Sequence, residues 1–306
     1  MGRFLANRIV SMLITLLLII TITFLLMHAI PGGPFTREKA LPPAVIKALE
    51  AKYKLDQPLW KQYVDYLGGI ARLELGPSFQ KVGVTVNDLI REGFPVSARV
   101  GGLSVLVVVA LGIPMGMISA LKQNKWQDQT VRFIATLGIT IPSFVIGTLI
   151  IYIFSAKLGW LPSFGLKTPK HYIGPVIALS GYSLSFVARL TRSSMLEVLQ
   201  QDYIRTARAK GLSEFVVIAK HALRNALIPV VTYIGPLIAT ILTGSFVTER
   251  IFAIPGMGKH FVESVGNRDY TVLMGMTVFY ALFLVIMVLV VDLLYGLIDP
   301  RIKVEE

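Results

Sequence analysis

The chain has no cysteine, which excludes a disulfide framework, thiolate chemistry and any cysteine-based metal site. Charge is scarce as well. Asp, Glu, Lys and Arg make up 16% of the 306 residues, against about 25% in an ordinary soluble domain. Histidine is rarer still: His28, His171, His221 and His260 lie far apart, and no His-Glu-x-x-His pair exists to hold a hydrolytic zinc. Charge is missing altogether from six long stretches, Ile9 to Ile30, Val100 to Leu121, Phe133 to Ala156, Tyr172 to Ala188, Ala226 to Thr248 and Thr271 to Val291. An intramembrane aspartyl protease would have no acid dyad there. An ion-coupled carrier keeps ionisable groups inside the bilayer, and here the only imidazole within a stretch is His28, which near a helix end reads as an interface residue.

Other catalytic patterns are incomplete. Gly181-Tyr182-Ser183-Leu184 lacks the second glycine of a nucleophile elbow. Gly256-Met257-Gly258-Lys259-His260 lacks the spacer and hydroxyl of a phosphate loop, and reads as a tight turn at the membrane surface. No residues suited to hydrolysing ATP are visible.

What is present is apolar. Hydrophobic residues reach 54% and mean hydropathy is +0.66, so the chain reads as an integral membrane protein. Most of the six stretches reach the roughly 20 residues that a helix needs to cross about 30 Å of hydrocarbon. The fourth is short and is expected to run on through Arg189, whose long stem can snorkel to the interface. No ten-residue alternation is seen, which favours helices over a barrel. The expected fold is all-α with six transmembrane helices. Residues 1–30 form the first helix and 31–95 a helical extracytoplasmic segment. Residues 96–306 form a five-helix core carrying a cytoplasmic loop at 195–224. The first run follows Arg3 and Arg8 but is too long for a signal-peptide core, so it reads as a retained helix.

Orientation follows from the short loops. Arg3 and Arg8, then Lys122, Lys125 and Arg132, then the basic segment from Arg189 to Arg224 all share one side if six helices alternate. By the positive-inside rule that side is cytoplasmic, and both termini lie there. Lys157, Lys167 and Lys170 oppose this and are outnumbered. The same rule explains the net charge of +12 without nucleic acid. In the external segment, Leu59, Tyr63, Tyr66, Leu67 and Ile70 fall at helical spacing, with Asp56 as N-cap and Pro58 in the first turn. An earlier helix is expected from Pro42-Pro43 through Val45, Leu49 and Tyr53. Two such helices make a small cap, either structural or in contact with substrate.

The cytoplasmic segment Asp202-Tyr203-Ile204-Arg205-Thr206-Ala207-Arg208-Ala209-Lys210-Gly211-Leu212 is too polar to cross a bilayer. Its alanines make a slim helix and Gly211 permits a sharp turn at the end. Arg205, Arg208 and Lys210 can meet carboxylates on a soluble partner or anionic headgroups. The helix-glycine-helix layout favours protein docking. Within the spans, Thr140, Ser143, Ser180, Ser183, Thr240 and Thr243 accompany prolines. They either let helices pack closely or line a polar route without fixed charge, suited to varied cargo.

The segment resembles the loop by which permease subunits of ABC importers engage their ATPases. The family pattern is Glu-Ala-Ala, three residues, Gly, nine residues, then Ile-x-Leu-Pro. Gly211 and Ala207 match it, Arg205 and Thr206 replace Glu and the first Ala, and Leu223 alone matches the last element. Arg-Thr-Ala-Arg-Ala-Lys-Gly-Leu followed by His-Ala-Leu-Arg-Asn-Ala-Leu-Ile-Pro is similar to the variant of peptide permeases. So are Leu55-Asp56-Gln57-Pro58-Leu59-Trp60, Leu75-Gly76-Pro77-Ser78-Phe79, Lys157-Leu158-Gly159-Trp160-Leu161-Pro162, Ile254-Pro255-Gly256-Met257-Gly258, Asn267-Arg268-Asp269-Tyr270 and the run from Asp292 to Arg301. Pro34-Phe35-Thr36 and Leu41-Pro42-Pro43 look most like the first permease subunit of oligopeptide systems. Dipeptide, nickel and glutathione relatives share much of this.

The resemblance to the dipeptide/oligopeptide permease family implies a type I ABC importer permease fold in a bacterial cytoplasmic membrane. It implies a heterodimer with a second permease subunit, two cytoplasmic ATPase subunits and an extracytoplasmic peptide-binding protein. It implies an ATPase-docking site at Arg205, Thr206, Ala207, Arg208, Lys210, Gly211 and Leu212. No cofactor is expected in this chain, with ATP and Mg in the partner ATPases. The other-class expectation is an ion-coupled carrier or channel acting alone.

Overall fold

The computed structural model describes residues 2–31, 33–35 and 42–298. Thr36, Leu41 and the Asp299-Pro300-Arg301 end of the last tag lie outside the described residues, as do positions 302–306. The elements of the described residues are all helices, joined by turns and irregular stretches, with one isolated β-bridge between Pro77 and Thr85. Helix α1 (Gly2–Ala29) leads to two cap helices, α2 (Pro43–Lys52) and α3 (Leu59–Ala71), and then to the long α4 (Val86–Leu121). After a short turn come α5 (Trp126–Thr140) and α6 (Ser143–Ile150), the latter continued by a π-helical stretch Ile151–Lys157. Helix α7 (Lys170–Leu199) returns across the molecule to α8 (Asp202–Ala209). Next, α9 (Glu214–Val216) passes through a π-helical stretch, Val217–Ala222, into α10 (Leu223–Ala226). Helices α11 (Ile228–Leu242), α12 (Phe246–Ile251), α13 (Met257–Gly266) and α14 (Tyr270–Ile298) complete the chain.

Five segments are long and apolar enough to cross a membrane: Ala6–Ala29, Val86–Leu121, Lys170–Leu199, Ile228–Ile251 and Tyr270–Val291. The third uncharged stretch is not one straight rod. Helices α5 and α6 meet at a bend of 100°. The cause is Pro142, which lacks an N–H and forces the preceding Ile141 into extended backbone, φ −85° and ψ 120°. The bent pair packs along α7 over the stretch from Arg192 to Ala178. Asp128 sits at Arg192, Gly138 at Ser185 and Gly181, and Gly147 at Ala178. Counted as one span, the bent pair brings the number of apolar segments of crossing length to six.

Close packing by small residues holds the bundle together. The α4–α7 contact is the most extensive between any two elements. A Cβ on Gly116 would stand 2.5 Å from the Ala188 carbonyl oxygen, so the two backbones approach as only glycine allows. Ser104 and Ser119 are buried on the same helix, and the Ser104 hydroxyl donates to its own helix at the Val100 carbonyl, 2.9 Å. The outward faces of α1 and α4 carry exposed Leu13, Leu17, Leu25, Leu106 and Leu111, which suits contact with lipid.

The cap helices occupy the expected places, with one difference at a terminus. The N-cap position of α3 is Pro58, with no side-chain cap bond, so Asp56 does not cap it. The cap is fastened to α1 by the Tyr63 and Thr21 hydroxyls, 2.6 Å apart, and by His28 Nε2 with Gln62 Oε1 at 3.1 Å. It is fastened to α14 through Asp269, which accepts from the Ser78 hydroxyl and from the backbone N–H of Phe79 at 3.1 Å. Two short tags that are 190 residues apart in sequence thus meet.

Candidate functional site

Helix α8 ends in a left-handed turn built from local sequence. Gly211 has φ +75°. Its N–H donates to the Arg208 carbonyl at 3.0 Å, and the Leu212 N–H reaches the Ala207 carbonyl at 3.4 Å. This pair of bonds is the Schellman arrangement, in which a glycine past the helix end supplies the left-handed residue. The chain then reverses into α9, and Arg208 closes over Glu214 with Nη2 to Oε1 at 2.7 Å. That hydrogen bond holds the Glu214 carboxyl below the usual carboxylate range and raises the Arg208 guanidinium. Both side chains are substantially exposed, so the pair shapes the elbow more than it stabilises it.

The elbow rests on the membrane helices through its apolar side. Ile204 and Ala207 are buried in one cluster with Ala120 of α4, Met195 of α7, and Val217, Ala222 and Ala226. The elbow thus shares one apolar cluster with the neighbouring ends of α4 and α7.

The residues singled out from the sequence divide in two. Arg205, Thr206, Arg208, Lys210, Gly211 and Leu212 are exposed on one continuous surface. Ala207 is turned inward and only 6% exposed. It supports the elbow instead of facing a partner, because α8 has one apolar stripe and Ala207 lies on it beside Ile204. The sequence reasoning missed Phe215, which stands 80% exposed one turn beyond Gly211. Its signal was available: a large aromatic in a charged loop, flanked by Glu214.

The six path residues differ in burial. Ser180, Ser183 and Thr243 are buried within the chain, Ser143 is half-buried, and Thr140 and Thr240 are exposed. Several hydroxyls are already satisfied within their own helix. Thr243 Oγ1 donates to the Ala239 carbonyl at 2.8 Å, and Thr240 Oγ1 to the Pro236 carbonyl at 2.5 Å.

Three buried acids were not foreseen. Each lies just outside an uncharged stretch, Asp128 within α5, Glu249 within α12 and Asp269 directly before α14. Glu249 lies near the end of the spanning segment Ile228–Ile251 and is 3% exposed. It accepts from the Ser97 hydroxyl at 2.6 Å and from the Gly258 N–H at 2.8 Å. The Met257 N–H donates to Ser97 Oγ at 2.9 Å. The glycine turn Gly256-Met257-Gly258 thus spends its N–H groups on protein and has none for a phosphate. Asp128, fully buried, takes Arg192 in a bidentate pair at 2.7 and 2.8 Å. It also accepts from the Ser119 hydroxyl at 2.5 Å and the Asn124 N–H at 2.9 Å. Asp269, described above, is the third. Each acid has its partners within the chain, as structural carboxylates do, and among the described residues no group of three His, Asp or Glu side chains could hold a metal.

Comparison with known proteins gives a consistent picture. The model of the binding-protein-dependent transport system inner membrane component family matches residues 112–304. The N-terminal model of the same transport-system membrane components matches residues 1–98. The dipeptide transport system permease protein DppB of Bacillus subtilis is 51% identical over all of this chain and 99% of its own length. The oligopeptide transport system permease protein OppB of Salmonella typhimurium is 44% identical over 99% of this chain and all of its own. Among solved structures, the inward-facing methionine ABC transporter MetNI superposes with a TM-score of 0.58 at 17% identity, covering 69% of this chain and 96% of that one. An amino acid ABC transporter gives 0.51 at 18% identity, covering 71% and 95%. These two similarities concern the fold.

Proposed function

Because the chain belongs to the family of binding-protein-dependent transport system inner membrane components, it is a permease subunit of an ABC importer and not itself an enzyme, and we propose that its cargo is peptide. The full-length similarity to dipeptide and oligopeptide permeases supports peptide over nickel or glutathione. The identities of 51% and 44% do not by themselves set peptide length. An importer of this family works with an ATPase and a substrate-binding protein. The finer reading is a heterodimer with a second permease subunit, two cytoplasmic ATPase subunits that bind ATP and Mg, and a peptide-binding protein outside. Both termini then face the cytoplasm.

The observation that carries the coupling role is the elbow itself. Its exposed side offers Arg205, Lys210, Leu212 and Phe215, while its buried side is locked to α4 and α7. Closure of the ATPase pair on ATP would push this lever and rock the two helices. Such alternating access requires that each state be favoured by different contacts with the ATPases.

The test uses Gly211→Val and Phe215→Asp in the complete transporter. A valine at φ +75° incurs a left-handed penalty of about 1–2 kcal/mol or more, while Gly211→Asn tolerates that backbone. Both Gly211→Val and Phe215→Asp should lower co-purification of the ATPases about tenfold and abolish peptide-stimulated ATP hydrolysis in vesicles, with Gly211→Asn close to wild type. Wild-type association in both variants, with the permease correctly inserted, would rule the elbow out as the coupling contact.

A further inference from the structure

One face of α7 is left open. Tyr182, Phe186, Arg189 and Ser193 recur along it at helical spacing, and with Arg132 of α5 they line a cleft of about 700 Å³. This lies within the roughly 300–1,000 Å³ of small-ligand sites. The upper part is aromatic. Tyr182 and Phe186 stand 6.5 Å apart between centroids, and Phe186 and Tyr233 4.3 Å. The lower part is basic, with Arg132, Arg189 and Arg192 together. Arg192 is committed to Asp128. Arg132 and Arg189 are exposed, and their guanidinium groups have no hydrogen bond or ion pair among the described residues. Two guanidinium groups that line one cleft without a partner acid offer fork-shaped donors to an anion. No acid lines the cleft to supply it.

The position decides which anion. Arg189 precedes the inner end of α7, Leu199, by ten residues, about 15 Å along the axis. The elbow packs on that end through Met195. Cargo leaving toward the cytoplasm passes this level, and every peptide carries one carboxylate whatever its side chains. We infer that Arg132 and Arg189 form a transient site for the α-carboxylate of the exiting peptide, the aromatic ladder above them receiving its side chains without selecting among them. A guanidinium fork matches a carboxylate in two parallel bonds. The inference rests on peptide being the cargo.

The test reconstitutes the whole transporter with its binding protein in vesicles. Uptake is compared for one peptide with a free C-terminal carboxylate and its C-terminal amide. The ratio of the two in wild type and in Arg132→Gln/Arg189→Gln is the readout, since the unchanged binding protein contributes equally to both. The double variant should lower the acid-to-amide ratio about tenfold. Arg132→Lys/Arg189→Lys, which keeps the charge, should retain most of it. An unchanged ratio overturns the inference. So does an equal fall for both peptides, which would assign the arginines to the partner permease, or a fall seen only with phosphatidylglycerol in the vesicles, which would assign them to lipid. No uptake of any peptide by the wild type would instead refute the peptide reading on which the inference stands.

Discussion

Arg192 and Asp128 make the clearest case at the scale of single residues. The Asp128 side chain is fully buried and that of Arg192 is 21% exposed, so the pair sits largely out of water. Such a pair adds little net stability when intact, yet leaving one charge behind costs about 3–5 kcal/mol. Arg192→Met should therefore destabilise the protein by about that amount, read from denaturant unfolding in mixed micelles. Asp128→Leu/Arg192→Met should recover part of the loss. It cannot recover all, because the Ser119 hydroxyl and Asn124 N–H lose their acceptor. A single variant as stable as wild type would mean that water already reaches the pair.

At the scale of elements, helix contact is set by which small residue faces which backbone. Gly101 and Gly102 are neighbours on α4 and look equivalent in sequence. A Cβ on Gly101 would meet the Ile241 carbonyl oxygen at 2.5 Å, where α11 crosses, while one on Gly102 would meet nothing within 4 Å. Gly101→Ala should cost about 1–3 kcal/mol through overpacking. Gly102→Ala should be neutral or stabilising by about 1 kcal/mol, from helix propensity alone. Melting temperatures of the two purified variants decide this. Equal shifts would mean that α4 and α11 do not approach so closely in the membrane.

The whole molecule is a helical bundle that carries an elbow packed on α4 and α7 and a small helical cap after α1. With the bent pair counted as one span, six crossings would put α2 and α3 on one side and the elbow on the other. The chain has no cysteine, so a single introduced thiol reports without background. Lys47 on α2 and Lys125 beside α5 are both exposed. Cysteine at position 47 should react with an impermeant thiol reagent in intact cells, and cysteine at 125 only after the membrane is opened. The reverse pattern would invert the topology and put the basic elbow outside, away from any ATPase.

The sequence by itself determined the class, the apolar segments and the elbow. Hydrophobic length is fixed by bilayer thickness, and a helix-ending glycine is a local property, so Gly211 was legible from its neighbours alone. The two cap helices were legible for the same reason, from helical periodicity. Only the tertiary structure decided that Ala207 faces inward, since burial depends on where Met195 and Val217 come to lie. It alone revealed Glu249, Asp128 and Asp269 as buried, because a charge just past an apolar stretch looks like a helix end until a distant partner such as Ser97, Arg192 or Ser78 arrives to satisfy it. It also gathered Arg132 and Arg189 into one cleft from two helices. Sequence carries short-range propensity and the water-to-lipid transfer of each segment. Which side chains share a site is set by the packing of helices far apart in the chain, where small residues fix the approach and buried polar groups must find one another.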